Sequence, residues 1–155
     1  MTHERTPSVA LPVDCNRLKS GDVEEIDVQL SAQAIDLVNE QELKIAEPIK
    51  VHLRAFVAEE SLICSLEIEV LLELPCSLCR EPFSFPLHIL EYTHEEPLSQ
   101  IKHGMFDAGP LVREAILLEI PFYPQCGGKE CKNRASVEKY LKKEKKDDYH
   151  PFDAL

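Results

Sequence analysis

The sequence predicts an α+β domain in which an antiparallel β-sheet, arranged as a strand meander, packs against two to three helices and carries a zinc knuckle. Three observations lead to this prediction. Several segments alternate apolar and polar residues with a period of two, others space apolar residues as a helix does, and the cysteines include two close pairs. The length of 155 residues and the hydrophobic content of 44% are ordinary for one globular domain.

The chain divides into three parts by composition. Residues 1–20 contain Pro7 and Pro12, show little periodicity and are expected to form an extended N-terminal arm or an edge strand. Residues 21–135 are expected to form the single α+β domain, and residues 136–155 a basic helix and C-terminal tail. The sequence has no apolar run long enough to span a bilayer and no signal-peptide core, so we expect a soluble cytoplasmic protein without a membrane partner.

Four segments have the alternation of half-buried strands. The first covers residues 24–30. Residues 51–57 and 62–74 alternate most clearly, and the connection between them, residues 58–61, is short enough for a hairpin. A further strand follows Pro82. The last three strands are expected to pair as an antiparallel meander with one face exposed to water.

The helices are predicted from caps and apolar spacing. Ser31 can cap a short helix with one apolar face. That face consists of Ala34, Ile35 and Val38. After a polar loop at residues 93–105, Asp107 is expected to cap a second helix with Pro110 in its first turn. Its apolar stripe consists of Leu111, Val112, Ala115, Ile116 and Leu118. A third helix is expected to begin at Ser136.

Two close cysteine pairs are the strongest chemical signal in the sequence. Cys76 and Cys79 lie between two predicted strands and are bracketed by prolines, so one tight turn can bring both thiols together. Cys126 and Cys131 are separated by four residues, and the first two of these are glycines that let the backbone turn sharply. Because four thiolates can complete a tetrahedral shell, we expect these cysteines to form a structural zinc site.

Other interpretations of the cysteines stay open at this point. The two pairs can be reduced structural thiols, or they can ligate an iron–sulfur cluster. A thiol redox pair usually opens a helix after a strand, whereas Pro82 and an alternating strand follow Cys79. Cys64 is expected to be a small buried residue on the apolar face of its strand, and Cys15 has no partner nearby in sequence.

The sequence contains no established catalytic motif. It lacks a GxSxG nucleophile turn, an HExxH metalloprotease motif and a phosphate-binding glycine loop. His52 and His88 fall on outward strand faces, and His94 and His103 lie in the predicted loop without the spacing of metal ligands. An acidic row on one strand face is expected to be solvated; it consists of Glu67, Glu69 and Glu73. We therefore expect no enzymatic activity and no small-molecule substrate.

The charge of the chain is unevenly distributed. A formal net charge of −11 disfavours broad binding to a phosphate backbone. Residues 129–146, in contrast, hold eight basic and three acidic side chains, a net charge of +5, which leaves −16 for the remainder. Such a run is either a solvated helix face or a contact for RNA or an acidic partner. The candidate contact residues are Lys139, Lys142, Lys143, Lys145 and Lys146.

Three sequence elements resemble a known protein family. They are LPCSLCR at residues 74–80, FDAGPLVREAILLEIP at residues 106–121 and PFDAL at residues 151–155. Together they resemble the YceD family, the large ribosomal RNA subunit accumulation proteins of bacteria and plastids. In that family a strand ends in paired cysteines, a helix of this type ends in a proline, and a further cysteine element follows. The resemblance runs from about Val51 to the end of the chain.

The resemblance implies a non-enzymatic factor needed for normal accumulation of 23S ribosomal RNA during large-subunit biogenesis. The expected partners are ribosomal precursor RNA or a basic ribosomal or assembly protein. The acidic body would engage a basic protein while the lysine run touches RNA. Two alternatives follow from the residues alone. One is a zinc-stabilised protein-interaction module unrelated to ribosomes, and the other is a thiol oxidoreductase that uses Cys76 and Cys79.

Overall fold

The computed structural model describes residues 9–38, 43–127 and Cys131. Its elements are β1 (Pro12–Asp14), α1 (Cys15–Leu18), β2 (Val23–Leu30), β3 (Lys44–Ala58), β4 (Ser61–Pro75), β5 (Pro82–Pro97), β6 (Met105–Asp107) and α2 (Gly109–Glu119). Two 3₁₀ turns, Leu98–Gln100 and Lys102–Gly104, join β5 to β6.

Antiparallel sheet dominates the described residues. Strands β2, β3, β4 and β5 pair in chain order as one four-stranded sheet, and β1 pairs with β6 in a separate two-stranded ribbon. All of these pairings are antiparallel. The described part of the chain holds two α-helices, so the fold is broadly of the expected α+β class but contains less helix than predicted.

The predicted hairpin between the two clearest strands is confirmed. Ala58 pairs with Ser61, which leaves two residues in the β3–β4 turn. Glu59 there has a φ of 55°, a left-handed value that matches the twist of two-residue hairpins. Strand β4 then pairs with β5 down to Pro75 opposite Pro82. The turn beyond this last pair holds the first cysteine pair.

One face of the four-stranded sheet is buried in the core. The alternation predicted for β4 is confirmed, because every second residue from Leu62 to Leu74 is buried. Helix α2 buries Val112 and Ile116 in the same core. Leu118, which was expected on the apolar stripe, is 68% exposed. It follows Ile116 by two residues, about 200° around the helix, so it points away from the side that Ile116 buries.

The first described residues also belong to the core. A set of side chains from β1, α1 and the residue before β1 is buried, namely Leu11, Val13, Cys15 and Leu18. Asp107 connects this segment to α2, because its Oδ1 accepts hydrogen bonds from the backbone N–H groups of Leu11 (3.0 Å) and Gly109 (2.9 Å). The prediction that Asp107 caps α2 is wrong, because Asp107 ends β6 and Ala108 is the N-cap residue, although the Asp107 carboxylate does bond the first N–H of the helix. The described part of the predicted N-terminal arm forms a strand and a short helix packed on the domain.

A β-bulge in β5 changes which of its residues face the core. Ile68 pairs with Ile89, and Leu66 pairs with Tyr92. Between these two pairs the chain advances two residues on β4 but three on β5. The extra residue reverses the alternation of inward and outward side chains. Beyond the bulge, the half-buried inward positions are Tyr92, His94 and Glu96.

Two predicted elements differ from the structure. The polar loop expected at residues 93–105 begins only after Pro97, because polar inward residues beyond the bulge hide the strand alternation. The helix expected after Ser31 is a series of turns. The hydroxyl of Ser31 does accept a hydrogen bond from the Ala34 N–H (3.2 Å), but Asp36 has a φ of 57°, which a right-handed helix cannot contain.

The other face of the sheet is exposed to water and carries paired charges. His52 Nδ1 on β3 lies 2.7 Å from Asp27 Oδ1 on β2. His88 Nε2 on β5 lies 2.9 Å from Glu67 Oε1 on β4. The outward placement predicted for both histidines is confirmed. A hydrogen bond to Asp27 raises the pKa of His52, and the Asp27 charge adds to this against a lowering by burial.

We predict that Asp27→Ala lowers the pKa of His52 toward the ordinary histidine value of about 6.5. Because the folded-state pKa is raised, the pair stabilises the fold fully below the unfolded-state pKa, and this contribution is lost as the pH rises through the folded-state pKa. A titration of the His52 ring signals by NMR measures the shift. Glu73→Gln removes a carboxylate from the same sheet face and is the control. An equal His52 pKa in wild type and Asp27→Ala would contradict the assignment.

Candidate metal centre

The turn between β4 and β5 positions the first cysteine pair. Cys76 directly follows β4; its N–H donates to the Glu81 carbonyl (2.9 Å), and its carbonyl accepts from the Arg80 N–H (2.9 Å). Arg80 has a φ of 65°, a left-handed conformation that is uncommon for a residue with a side chain. These features close the turn tightly enough for the Cys76 and Cys79 thiols to converge.

The segment after α2 brings in the second pair. The helix ends at Glu119, and the Pro124 carbonyl accepts a hydrogen bond from the Ser77 N–H (2.7 Å) of the β4–β5 turn. Gly127 has a φ of 49°, the left-handed conformation that the predicted sharp turn requires. Cys126 is thereby held directly beside the first pair.

All four candidate ligands lie together. The Sγ atoms of Cys76 and Cys131 are 3.7 Å apart, and those of Cys79 and Cys126 are 3.6 Å apart. All four sulfurs lie within 4.8 Å of one another, and none of these cysteines is in a disulfide. Sulfurs at the corners of a tetrahedron with metal–sulfur bonds of about 2.3 Å are about 3.8 Å apart. The donor set therefore fits one four-coordinate metal ion.

Backbone N–H groups point at the sulfur of Cys76. Those of Leu78 and Cys126 each lie 3.4 Å from it, and the N–H of Cys79 also donates to it. Because these donors stabilise a thiolate, with the Cys126 N–H contributing most, they lower the pKa of Cys76 to about 6. The same hydrogen bonds would offset part of the negative charge of a four-thiolate metal site.

The other thiols of the cluster are harder to ionise. Hydrogen bonds to Cys76 and Cys79, together with burial, raise the pKa of Cys126 to about 12. At Cys79 the Glu81 N–H lowers the pKa, but burial and hydrogen bonds to Cys76 and Cys131 outweigh it, and the net shift is upward. A cation that binds here must therefore displace protons from several sulfurs.

The four cysteines of the cluster differ in exposure. Cys76 is 0% and Cys131 5% exposed, while Cys79 and Cys126 are half-buried. If all four bound one metal ion, they would fill a tetrahedral shell and leave no position for water or substrate, which is the arrangement of structural metal sites. With a metal ion bound to its sulfurs, the cluster would cross-link the β4–β5 turn to the chain after α2.

The remaining cysteines and one predicted loop histidine lie away from this cluster. Cys15 and Cys64 are buried in the core, and desolvation raises the pKa of Cys64 to about 12, as suits a small apolar residue. His94 was expected in a loop but lies on β5, where its ring stacks on Phe106 with centroids 6.1 Å apart. Its Nε2 is 2.8 Å from Glu96 Oε2. Among the described residues, the four clustered cysteines are the one group that could hold a metal ion.

The proposed lysine contact residues and the helix predicted from Ser136 lie outside the residues that the structure describes. These lysines are Lys139, Lys142, Lys143, Lys145 and Lys146. Gly128, which was expected to help the chain turn between Cys126 and Cys131, also lies outside the described residues.

Two aromatic residues beside the cluster were not anticipated as functional from the sequence. Phe122 is 97% and Tyr123 80% exposed. The sequence analysis treated this segment only as the end of a helix. A signal was present, however, because Pro121 ends the helical pattern before the two rings and Pro124 follows them directly, so the rings cannot continue the apolar stripe of α2.

Comparison of the chain with protein-family models, with curated proteins and with solved structures gave no match. Neither α-helix in the described part of the chain has the length and apolar character needed to cross a membrane. The interpretation of the cysteine cluster therefore depends on its geometry.

We predict that the purified reduced protein carries one metal ion per chain and that Cys79→Ser and Cys126→Ser each abolish its retention, because three thiolates hold a metal much less tightly than four. Elemental analysis of the freshly purified protein measures the stoichiometry. The melting temperature of these variants should fall by at least about 4 °C.

Cys64→Ala is the matched control for the metal prediction, since it removes a buried thiol outside the cluster. It should keep the metal at the wild-type stoichiometry, whatever its effect on the melting temperature. Wild-type protein that contains no metal after preparation without chelators, or Cys79→Ser protein that keeps a full equivalent, would contradict the site.

Proposed function

We propose that this protein is a non-enzymatic cytoplasmic factor that supports the accumulation of 23S ribosomal RNA and the biogenesis of the large ribosomal subunit. The observation that carries the proposal is that the elements follow one another as the resemblance to the YceD family implies. LPCSLCR supplies the first cysteine pair at the end of β4. FDAGPLVREAILLEIP begins in β6, forms α2 and ends in Pro121, shortly before Cys126 of the second pair.

Zinc is the metal that we assign to the site. Zinc is almost always four-coordinate in structural sites and commonly bound by four cysteines. In an iron–sulfur cluster the cysteine sulfurs bind different irons, and those on different irons would lie further apart than the 4.8 Å within which all four sulfurs are found here. Bound zinc would stabilise the fold without redox chemistry, which supports a role in presenting surfaces to partners.

The charge distribution supports two oppositely charged partners, or one partner that carries charges of both signs. Outside residues 129–146 the chain carries a net charge of −16, and the exposed sheet face includes acidic side chains such as Asp27 and Glu67. This body would attract a basic ribosomal or assembly protein, while the lysine run would attract ribosomal precursor RNA. The two contacts together would hold the factor on an assembling subunit.

The two alternative functions make different demands on the cysteines. The lowered pKa of Cys76 would favour a thiolate nucleophile, as a thiol oxidoreductase needs, but a substrate disulfide cannot reach a sulfur on a residue that is 0% exposed. In addition, Cys79 is followed by β5 rather than by a helix. A zinc-stabilised interaction module unrelated to ribosomes fits the same geometry, and cellular experiments separate it from the proposed factor.

Depletion of the protein from the cells in which it is native should lower the ratio of 23S to 16S ribosomal RNA. The reason is that only the large-subunit RNA would lose its assembly factor and become exposed to degradation. Electrophoretic quantification of both RNAs measures the ratio, and re-expression of the wild-type protein should restore it. An unchanged ratio after verified depletion would contradict the proposed function and favour the unrelated interaction module.

Charge reversal in the lysine run should abolish co-sedimentation of the protein with large-subunit precursors. The variant carries Lys→Glu at Lys142, Lys143, Lys145 and Lys146, and sucrose-gradient fractions are probed for the protein. A control with the same change of net charge reverses lysines elsewhere, at Lys19, Lys44, Lys50 and Lys102. The control should still co-sediment, because the contact depends on where the charges lie. Equal behaviour of the two variants would reject the lysine run as the contact.

A further inference from the structure

Phe122 and Tyr123 are the most exposed large apolar side chains of the described residues. Their exposed fractions are 97% and 80%, whereas Phe83 and Phe85 are partly buried against the core. Leaving two adjacent aromatic rings in water forgoes a large favourable burial energy. Such rings are expected where a partner covers them.

The backbone holds these rings in a defined place. On one side the segment leaves the end of α2 through Pro121, whose ring restricts the chain. On the other side the Pro124 carbonyl is bonded to the Ser77 N–H, and the Cys126 N–H is bonded to the Cys76 sulfur. A short segment fixed at both ends presents its side chains with little entropy left to lose on binding.

Basic residues occur in the turn adjacent to the two rings and in the sequence that follows them. Arg80 is an exposed residue of the adjacent β4–β5 turn, and Lys129 and Lys132 flank the buried ligand Cys131 in sequence. Acidic side chains also occur nearby in sequence, at Glu119 and Glu130. Residues 129–146 nevertheless have a net charge of +5 in a chain of net charge −11. Exposed aromatic rings beside a basic segment are the combination that binds single-stranded nucleic acid by base stacking and phosphate contact.

We infer that Phe122 and Tyr123 form a stacking platform for unpaired bases of single-stranded RNA, with Arg80 of the adjacent β4–β5 turn contacting a neighbouring phosphate. A duplex would not satisfy this surface, because its bases are already stacked on each other and its larger negative charge would meet the acidic body of the protein. The inference rests on the proposed function, since it names the surface through which the factor contacts ribosomal precursor RNA.

The test uses the full-length metal-bound protein and a fluorescently labelled single-stranded RNA of about 12 nucleotides and mixed sequence. Binding is measured by fluorescence anisotropy at one fixed salt concentration. The double variant F122A/Y123A should bind at least about fivefold more weakly for each stacked base that is lost. The same RNA annealed into a duplex should bind the wild-type protein more weakly than the single strand does.

Two further variants make the result specific to stacking. F122L/Y123L keeps an apolar surface but removes the flat rings, so it should bind as weakly as F122A/Y123A, whereas F122W/Y123F should bind about as well as wild type. Leu90→Ala is the matched surface control, because Leu90 is an exposed apolar residue on β5, and it should not change RNA binding. Circular dichroism and metal content verify that every variant is folded.

Several outcomes would overturn the inference. Wild-type affinity in F122A/Y123A would show that the rings do not contact RNA, and wild-type affinity in F122L/Y123L would show an apolar contact without stacking. A concentration-dependent dimer that F122A/Y123A dissociates would assign the surface to a second copy of the chain. Equal binding of duplex and single strand would assign the affinity to charge alone.

A complementation experiment keeps this inference separate from the proposed function. Suppose that depletion lowers the ratio of 23S to 16S ribosomal RNA and that F122A/Y123A restores this ratio as fully as wild type. The stacking platform then fails while the proposed function stands. If depletion leaves the ratio unchanged, the proposed function fails, and the anisotropy titration still decides whether the rings bind RNA. Partial or absent restoration by F122A/Y123A, with full restoration by Leu90→Ala, supports both.

Discussion

The convergence of four thiols at one point is the constraint that fixes how the β4–β5 turn meets the segment after α2. The first pair belongs to a turn that the β4–β5 pairing already determines, and the second pair arrives on a segment that follows α2. The Ser77–Pro124 hydrogen bond and the N–H groups aimed at Cys76 align the two segments even before a metal is considered. A metal ion at the sulfurs would turn this alignment into a cross-link. The direction in which the chain leaves α2, and with it the position of the exposed rings, depends on this junction.

The sheet that supports this junction has two chemically different faces. Its inner face buries the apolar residues of β4 against α2 and the N-terminal segment, which provides most of the core. Its outer face carries ion pairs such as His52 with Asp27, which are exposed and contribute modestly to stability. The bulge in β5 adds polar residues to the inner face at one end, where His94 finds Phe106 and Glu96 as partners.

The cysteine cluster has the donor set of a structural metal site. Its cysteines are buried or half-buried, the four sulfurs could supply a whole tetrahedral shell, and N–H donors favour the thiolate form of Cys76. Beside it, the chain exposes the rings of Phe122 and Tyr123. A partner that bound these rings would therefore be linked to the junction, because the segment that holds the cysteines also holds the rings.

Local patterns in the sequence were enough for the elements that depend on neighbours along the chain. The alternation of residues 62–74 predicts β4, the four residues 58–61 predict the hairpin, and the cysteine spacing predicts two turns able to converge. These signals succeed because side-chain period and turn chemistry are set over a few residues.

Other features depended on contacts between distant segments, and only the tertiary structure decided them. The bulge in β5 reversed its alternation, so the last residues of that strand did not show a strand pattern in the sequence. The left-handed conformation of Asp36 is incompatible with the helix predicted after Ser31. The side of α2 that carries Leu118 is not packed on the core, so Leu118 is exposed. Cysteine spacing likewise identified the four candidate metal ligands, but it could not establish that the sulfur of Cys76 lies beside that of Cys131 or which N–H groups face the Cys76 sulfur. What the sequence by itself determined is the local geometry and the set of candidate ligands. What the tertiary structure decided is which of these groups meet, because that depends on the packing of residues that are far apart along the chain.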